Sequence, residues 1–169
     1  MAYPAEACFG LGCHPEDQAA LARIRRMKDR SEAQGFILVA DQLQRLQPWL
    51  SWSKLTPQQQ QQVEASWPGP VTWLVPASER SGPALRGQFD SLAVRVTDFS
   101  TLVELCASAA VPLVSTSANR GGQAPLLNAE QVASTFGDEL DCILDLPIQG
   151  LDNPSQIIDA VTQKTIRSA

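Results

Sequence analysis

The sequence predicts an α/β or α+β fold around one mixed β-sheet, because short apolar runs alternate with helical patterns along most of its 169 residues. A hydrophobic content of 44% is enough for one ordinary domain with its own core. The sequence shows neither a linker-like stretch nor an internal repeat. We therefore expect residues 1–169 to form a single domain.

The first forty residues predict a strand fragment, a helix and a strand. Residues 1–3 are typical of the end of a strand, so we expect the chain to be truncated at its N-terminus. Residues 16–27 carry apolar side chains at helical spacing, with Pro15 near the helix start. Residues 35–40 form a continuous apolar run, which is typical of a strand covered on both faces.

Capping patterns and apolar runs predict the remaining elements. Thr56-Pro57-Gln58-Gln59 is a capping box that opens a helix. Further capped helices are predicted from Thr101 to near Ala110 and over residues 128–136. Strands are predicted over residues 71–75, 92–96, 111–114, 142–146, 156–158 and 165–167. Residues 76–90, rich in Ser, Gly and Pro, predict a long loop.

Short polar side chains gather after the apolar run 111–114. The segment Ser115-Thr116-Ser117-Ala118-Asn119 follows that run directly, and two glycines come soon after it. Ligands bind at the carboxyl ends of strands in open α/β sheets, so this segment is a candidate site. Taken alone, it is explained more simply as an ordinary turn.

The charge balance disfavours a general nucleic-acid binder. The net charge is −5 and the isoelectric point is about 4.8, so the molecule as a whole repels a phosphate backbone. Five of the thirteen Lys and Arg residues nevertheless lie within residues 23–30. This basic cluster suits a small polyanion, or it is simply a solvated helix face whose cations complement the helix dipole.

Arg95 interrupts an otherwise apolar strand, so its charge is either paired with an acid or directed at an anionic ligand. Lys28 and Arg30 leave a helix end together and offer two kinds of phosphate contact. The sequence contains neither a P-loop nor a dinucleotide fingerprint, and His14 serves no nucleophile motif. The chemistry that remains is the positioning and charge neutralisation of a phosphoryl or adenylyl group.

Four cysteines are present without a Cys-x-x-Cys pair, and we expect them to be small buried hydrophobes of a cytoplasmic protein. Cys13 beside His14 makes a poor metal site. No apolar run is long enough for a membrane span.

Six short motifs occur along the chain. They are Tyr3-Pro4-Ala5-Glu6-Ala7-Cys8-Phe9-Gly10-Leu11-Gly12, Lys28-Asp29-Arg30, Trp67-Pro68-Gly69-Pro70-Val71-Thr72, Ser91-Leu92-Ala93-Val94-Arg95-Val96, Ser115-Thr116-Ser117-Ala118-Asn119 and Asn153-Pro154-Ser155. In their order and rough spacing they resemble the YrdC/TsaC family, and the resemblance runs from Tyr3 to Arg167. The resemblance implies a twisted mixed sheet with flanking helices and a concave cationic cavity. It also implies a nucleotidyltransferase that forms threonylcarbamoyl-adenylate and pyrophosphate from threonine, bicarbonate or CO2, and ATP.

The resemblance further implies roles for nine residues. The catalytic pair Lys28 and Arg30 would face the phosphates; Ser91, Ser117, Asn119 and Arg167 would help to bind ATP; and Arg95, Ser115 and Ser155 would bind threonine. Magnesium is expected with ATP, although no carboxylate stands out as its ligand. A tRNA threonylcarbamoyl-transferase complex would receive the product, and weak contact with tRNA is a further expectation.

The chain departs from the family pattern at Ala5, Ser31 and Gly121, where the family usually has threonine, proline and serine. The family also has a helix and a full strand before the Tyr-Pro motif, so a shortened sheet with uncovered apolar surface is expected here. Two alternatives therefore stand beside the enzyme. One is a non-catalytic RNA-binding or ribosome-associated module that uses the basic cluster, and the other is a degenerate paralogue without turnover.

Overall fold

One eight-stranded sheet organises the structure, a computed structural model that describes residues 1–151 and 154–168. The strands are β1 (Ala2–Pro4), β2 (Phe9–Cys13), β3 (Ile37–Ala40), β4 (Val71–Pro76), β5 (Ser91–Val96), β6 (Leu113–Ser117), β7 (Gln156–Asp159) and β8 (Thr165–Arg167). Their spatial order is β1-β2-β6-β3-β5-β4-β7-β8. The pairs β3/β5 and β4/β7 are parallel and the others are antiparallel, which confirms the mixed sheet.

The helices are α1 (Gln18–Met27), α2 (Leu43–Leu46), α3 (Pro57–Ala65), α4 (Pro83–Arg86), α5 (Ser100–Ala109) and α6 (Ala129–Phe136). Short 3-10 turns occupy Gln47–Trp49, Trp52–Lys54 and Gly137–Glu139. The capping box at Thr56 is confirmed, because its side chain accepts from the Gln59 amide while the Gln59 side chain accepts from the Thr56 amide. None of the helices within the described ranges is long and apolar enough to cross a bilayer.

Several predicted boundaries were wrong, including the start of the strand predicted over residues 111–114, which begins at Leu113. Helix α5 begins at Ser100 rather than at a Thr101 cap, and the hydroxyl of Thr97 accepts the Phe99 amide at 3.1 Å just before it. The candidate polar segment does not simply follow a strand, because β6 extends to Ser117 and includes three of its polar residues. The loop predicted over residues 76–90 contains the short helix α4.

Residues 142–146 do not form the predicted strand and make only an isolated bridge between Ala2 and Ile143. Strand β1 has three residues, and Pro4 has no amide hydrogen to extend a ladder, so little edge is available for pairing. Cys142 in this segment is exposed, contrary to the expectation of a buried thiol, whereas Cys106 is buried.

Strand β2 was not predicted because its glycines disrupt the apolar pattern. Tyr3 is fully buried against this strand, and its hydroxyl donates to the Val114 carbonyl at 3.2 Å. A β-carbon on Gly12 would collide with the Val114 carbonyl oxygen and lie 2.6 Å from the Tyr3 ring. The glycine is therefore required by the close approach of three chain segments.

Candidate active site

A cavity of about 750 Å³ lies over one face of the sheet. Alternate residues of β5, namely Ser91, Ala93 and Arg95, line it, as expected for side chains on one face of a strand. The strand register places Ile37 beside both Ala93 and Ser115, so neighbouring strands supply one continuous floor. The site therefore extends along the strands and is not confined to their carboxyl ends.

The cavity brings together seven of the nine residues predicted for the site. These are Arg30, Ser91, Arg95, Ser115, Ser117, Ser155 and Arg167. Lys28 and Asn119 are not among the lining residues. Asn153, from the last sequence motif, lies outside the described residues.

Lys28 does not line the cavity, and oxygen atoms at and just after the end of β6 accept hydrogen bonds from its ammonium. Its Nζ donates to the Ser117 carbonyl at 2.6 Å, and to the Asn119 carbonyl at 3.0 Å and side-chain Oδ1 at 2.9 Å. The hydroxyl of Ser117 donates to the same Oδ1 at 2.6 Å. Burial, and then the nearby Arg30 charge, lower the pKa of Lys28 to about 8. In this arrangement Lys28 and Asn119 fix the end of β6 at Ser117.

The turn after Asn119 packs closely on the end of α1. A β-carbon on Gly121 would lie 2.9 Å from the Lys28 carbonyl oxygen. We expect Gly121→Ala to reduce the free energy of unfolding by about 1–3 kcal/mol, because two backbone segments must separate. Urea denaturation measures the loss. Gly137→Ala is the matched control, since a β-carbon there would meet nothing within 4 Å and the φ of −45° is helical. Equal loss in both variants would contradict the packing argument.

Two arginines in the cavity present buried donors without a partner. Arg30 donates from one terminal nitrogen to the Gly35 carbonyl, and Arg95 donates from one to Glu6 Oε2 at 2.9 Å. Their Nε atoms are the buried side-chain nitrogen or oxygen atoms that lack a hydrogen bond within the part of the chain that the structure describes. An unsatisfied buried donor costs about 1–3 kcal/mol, more when it is charged. Each of these donors therefore lacks an acceptor in the described part of the structure, although the residue that carries it lines the cavity.

The lining is strongly cationic. Its charged residues, as far as they are described, are Arg30, Arg86, Arg95, Arg167 and Glu6. Arg167 donates to the Ser155 carbonyl at 2.7 Å, and the Ser155 hydroxyl lies 2.8 Å from that of Thr72. Burial and the Arg95 charge lower the pKa of Arg167, as expected where like charges converge.

Arg95 forms an ion pair with Glu6, which is the first of the two interpretations that the sequence left open, and it also lines the cavity. Sequence reasoning assigned no role to Glu6 or Arg86. An acid near the strand arginine in space is invisible in a sequence in which the two are 89 residues apart. Arg86 lies in the segment predicted as a loop, where no pattern marked it.

The basic cluster of residues 23–30 is divided between two surroundings. Arg23 pairs with Asp141 on the exposed surface at 3.0 Å, and Arg26 is also exposed. Arg25 and Arg30 lie over the Phe36 ring, with their guanidinium carbons 4.7 and 5.2 Å from its centroid. The cluster is therefore not one continuous surface patch.

The fold and the site define an α/β protein with an arginine-lined cavity over its sheet, suited to a ligand with more than one anionic group. The chain belongs to the Sua5/YciO/YrdC family, whose model, described as "Telomere recombination", matches residues 1–169. It is 46% identical over 167 residues to a threonylcarbamoyl-AMP synthase of Chromohalobacter salexigens, covering 99% of this chain and 89% of that protein. A protein of the same name from Vibrio campbellii is 42% identical over 99% of this chain and 90% of its own length.

Solved structures agree with this assignment. Sua5 of P. abyssi in complex with L-threonine has a TM-score of 0.85 and 27% identity, with 94% of this chain and 46% of that chain covered. The chain thus spans about half of Sua5. YciO of E. coli shares the fold, with a TM-score of 0.73 at 21% identity over 99% of this chain and 83% of its own.

Proposed function

We propose that this protein is a threonylcarbamoyl-AMP synthase, a nucleotidyltransferase that uses threonine, bicarbonate or CO2, and ATP for tRNA modification in the cytoplasm. The observation that carries the proposal is the cationic lining of one cavity, in which the arginines Arg30, Arg95 and Arg167 lie together with sheet hydroxyls. The reaction joins a triphosphate to an amino acid, so its substrates present anionic groups at two places. Relatives of that name at 42–46% identity support this choice of substrates.

The proposed reaction needs orientation and charge neutralisation rather than a protein nucleophile. The threonine amine forms a bond with the carbon of CO2 and releases a proton, giving a carbamate. A carbamate oxygen then bonds to the α-phosphorus of ATP while the bond to the pyrophosphate oxygen breaks. Preorganised cations stabilise the charge that develops on the phosphoryl oxygens.

We assign the phosphate end of the ligand to Arg30, with Ser91, Ser117 and Arg167, and the threonine end to Arg95, with Ser115 and Ser155. All seven line the cavity. Lys28 and Asn119 act on the ATP site indirectly, by holding the end of β6, because Lys28 donates a hydrogen bond to the Ser117 carbonyl. This indirect role differs from the direct phosphate contact that the sequence predicts for Lys28.

Magnesium is proposed to reach the cavity on the phosphates of ATP. Among the described lining residues the carboxylate is that of Glu6, and its two oxygens accept from Arg95 and Thr97. No group of three or more His, Cys, Asp or Glu side chains that could hold a metal occurs in the described ranges. The lining therefore does not fit a magnesium ion held by protein carboxylates, and no residue is assigned to it.

Pyrophosphate release tests the proposal. The purified chain is incubated with ATP, magnesium, threonine and bicarbonate, and pyrophosphate is measured together with the mass of the adenylate product. We expect release that requires both threonine and bicarbonate. In the matched controls, serine replaces threonine or acetate replaces bicarbonate. The absence of threonine-dependent release would refute the proposed function. Transfer of the product to tRNA by an added tRNA-modifying complex tests the proposed hand-over.

The low pKa of Lys28 predicts that ATP binding weakens in mild alkali. With a pKa of about 8, the ammonium is mostly charged at pH 7 and roughly one-tenth charged at pH 9, so we expect about a tenfold loss of ATP affinity across this interval. Stability has the opposite sign. The folded state binds fewer protons than the unfolded state between pH 8 and 10.5, so the free energy of unfolding rises there.

Calorimetric titration with ATP at each pH measures the effect. Lys28→Arg keeps its charge and is expected to lack this loss, whereas Lys54→Arg on an exposed turn is expected to retain it. An affinity profile that is the same in all three proteins would contradict a role for the Lys28 charge.

A further inference from the structure

Glu6 is a carboxylate in a cavity otherwise charged by arginines, and the proposed reaction assigns it no step. Only 7% of the residue is exposed. It follows β1 and lies at the carboxyl end of β5, where it contacts Arg95 and Thr97. An acid in a site for anionic ligands opposes binding through its charge, so its presence calls for a physical reason.

Both oxygens of Glu6 are held. Oε2 accepts from a terminal nitrogen of Arg95 at 2.9 Å, and Oε1 accepts from the Thr97 hydroxyl at 2.6 Å. The Thr97 oxygen itself accepts the Phe99 amide at 3.1 Å, immediately before α5. The Thr97 hydroxyl thus accepts a hydrogen bond from the backbone and donates one to Glu6. Thr97 is 1% exposed, so water does not compete for these bonds.

This chain of bonds determines which donors Arg95 leaves available. One terminal nitrogen is committed to Glu6, while Nε is buried and has no partner. The side chains of Arg95 and Glu6 are each 9% exposed, so neither swings freely into solvent. A guanidinium held at one corner presents its remaining donors in one fixed direction, which is the condition for recognising a planar carboxylate.

We infer that Glu6 and Thr97 are positioning residues for the threonine subsite: Thr97 orients Glu6, and Glu6 orients Arg95 toward the carboxylate of the amino acid. The inference rests on the proposed function for the identity of that ligand. The predicted signature is selective. Loss of the Thr97 hydroxyl weakens threonine binding and leaves ATP binding intact, because the phosphate end is assigned to other residues.

Thr97→Val and Thr97→Ser are the matched test pair. Thr97→Val keeps the size of the side chain and removes the hydroxyl, whereas Thr97→Ser keeps the hydroxyl and removes one methyl group. We expect Thr97→Val to raise the dissociation constant of L-threonine at least fivefold and that of ATP less than twofold, both by calorimetry. Thr97→Ser is expected to remain within twofold of the parent for both ligands. Glu6→Ala is expected to raise the threonine constant at least tenfold, with Glu6→Gln intermediate because its amide oxygen still accepts from Arg95.

Several outcomes overturn the inference. Unchanged threonine affinity in both Thr97→Val and Glu6→Ala does so, as does a parallel loss of threonine and ATP affinity, which indicates general damage. If Glu6→Ala does not fold, the comparison of Thr97→Val with Thr97→Ser tests the inference by itself. Threonine binding by a parent chain that releases no pyrophosphate refutes the proposed function and leaves this test intact. A parent chain that binds ATP but not threonine refutes both.

Discussion

Arg30→Ala is expected to reduce threonine-dependent pyrophosphate release at least a hundredfold, on the order of the loss caused by removing one preorganised transition-state donor. The buried Nε of Arg30 lacks a partner, and the residue lines the cavity. Steady-state assays at saturating threonine and ATP measure the change.

Arg26→Ala is the matched control for Arg30, because it removes an exposed arginine four residues earlier and is expected to retain at least half the rate. Arg30→Lys is expected to fall between the two, since an ammonium keeps the charge and loses the planar fork. An Arg30→Ala protein that keeps a third or more of the parent rate would remove Arg30 from the proposed chemistry.

Arg95→Met is expected to damage stability and threonine binding together. It leaves the Glu6 carboxylate buried without its cation, and breaking a buried ion pair at one partner costs about 3–5 kcal/mol in the free energy of unfolding. The same change removes the donors proposed for the threonine carboxylate, so we expect at least a hundredfold weaker threonine binding. Urea denaturation and calorimetry measure the two losses separately.

The double variant Glu6→Gln with Arg95→Met separates these effects. A neutral amide replaces the isolated charge, so most of the lost stability is expected to return while threonine binding remains at least a hundredfold weaker than in the parent. If the double variant recovers threonine binding as well, Arg95 acts on the site only through folding. If Arg95→Met is as stable as the parent, the ion pair has no energetic role.

The sequence was most informative where a structural feature depends on neighbouring residues. The helix opened by Thr56 and the helix capped by Asn128 form as predicted, because each cap uses groups within three residues. Prediction failed where the secondary structure of a segment depends on packing against residues that are distant in the sequence. Strand β2 depends on Tyr3 occupying the space above Gly12, and the apolar run 142–146 lacks a long enough edge beside it.

The candidate site shows the same division. The sequence marked Arg95 as a charge within an apolar strand and the polar run 115–119 as a candidate site, and the structure places Arg95, Ser115 and Ser117 in the cavity. The direction of Lys28 was not visible, because its three acceptors lie about ninety residues later in the chain. The partner of Arg95 was hidden for the same reason.

Strand β5 sets a fixed length scale for whatever occupies the cavity. Ser91 and Arg95 are four residues apart on one face, a separation of roughly 13 Å in an extended strand. Backbone pleating, rather than the flexibility of a loop, therefore holds the groups assigned to the nucleotide and to the amino acid at a constant distance. Inserting a single residue between them would turn one of the two to the opposite side of the sheet, so this strand tolerates point substitutions far better than changes in its length.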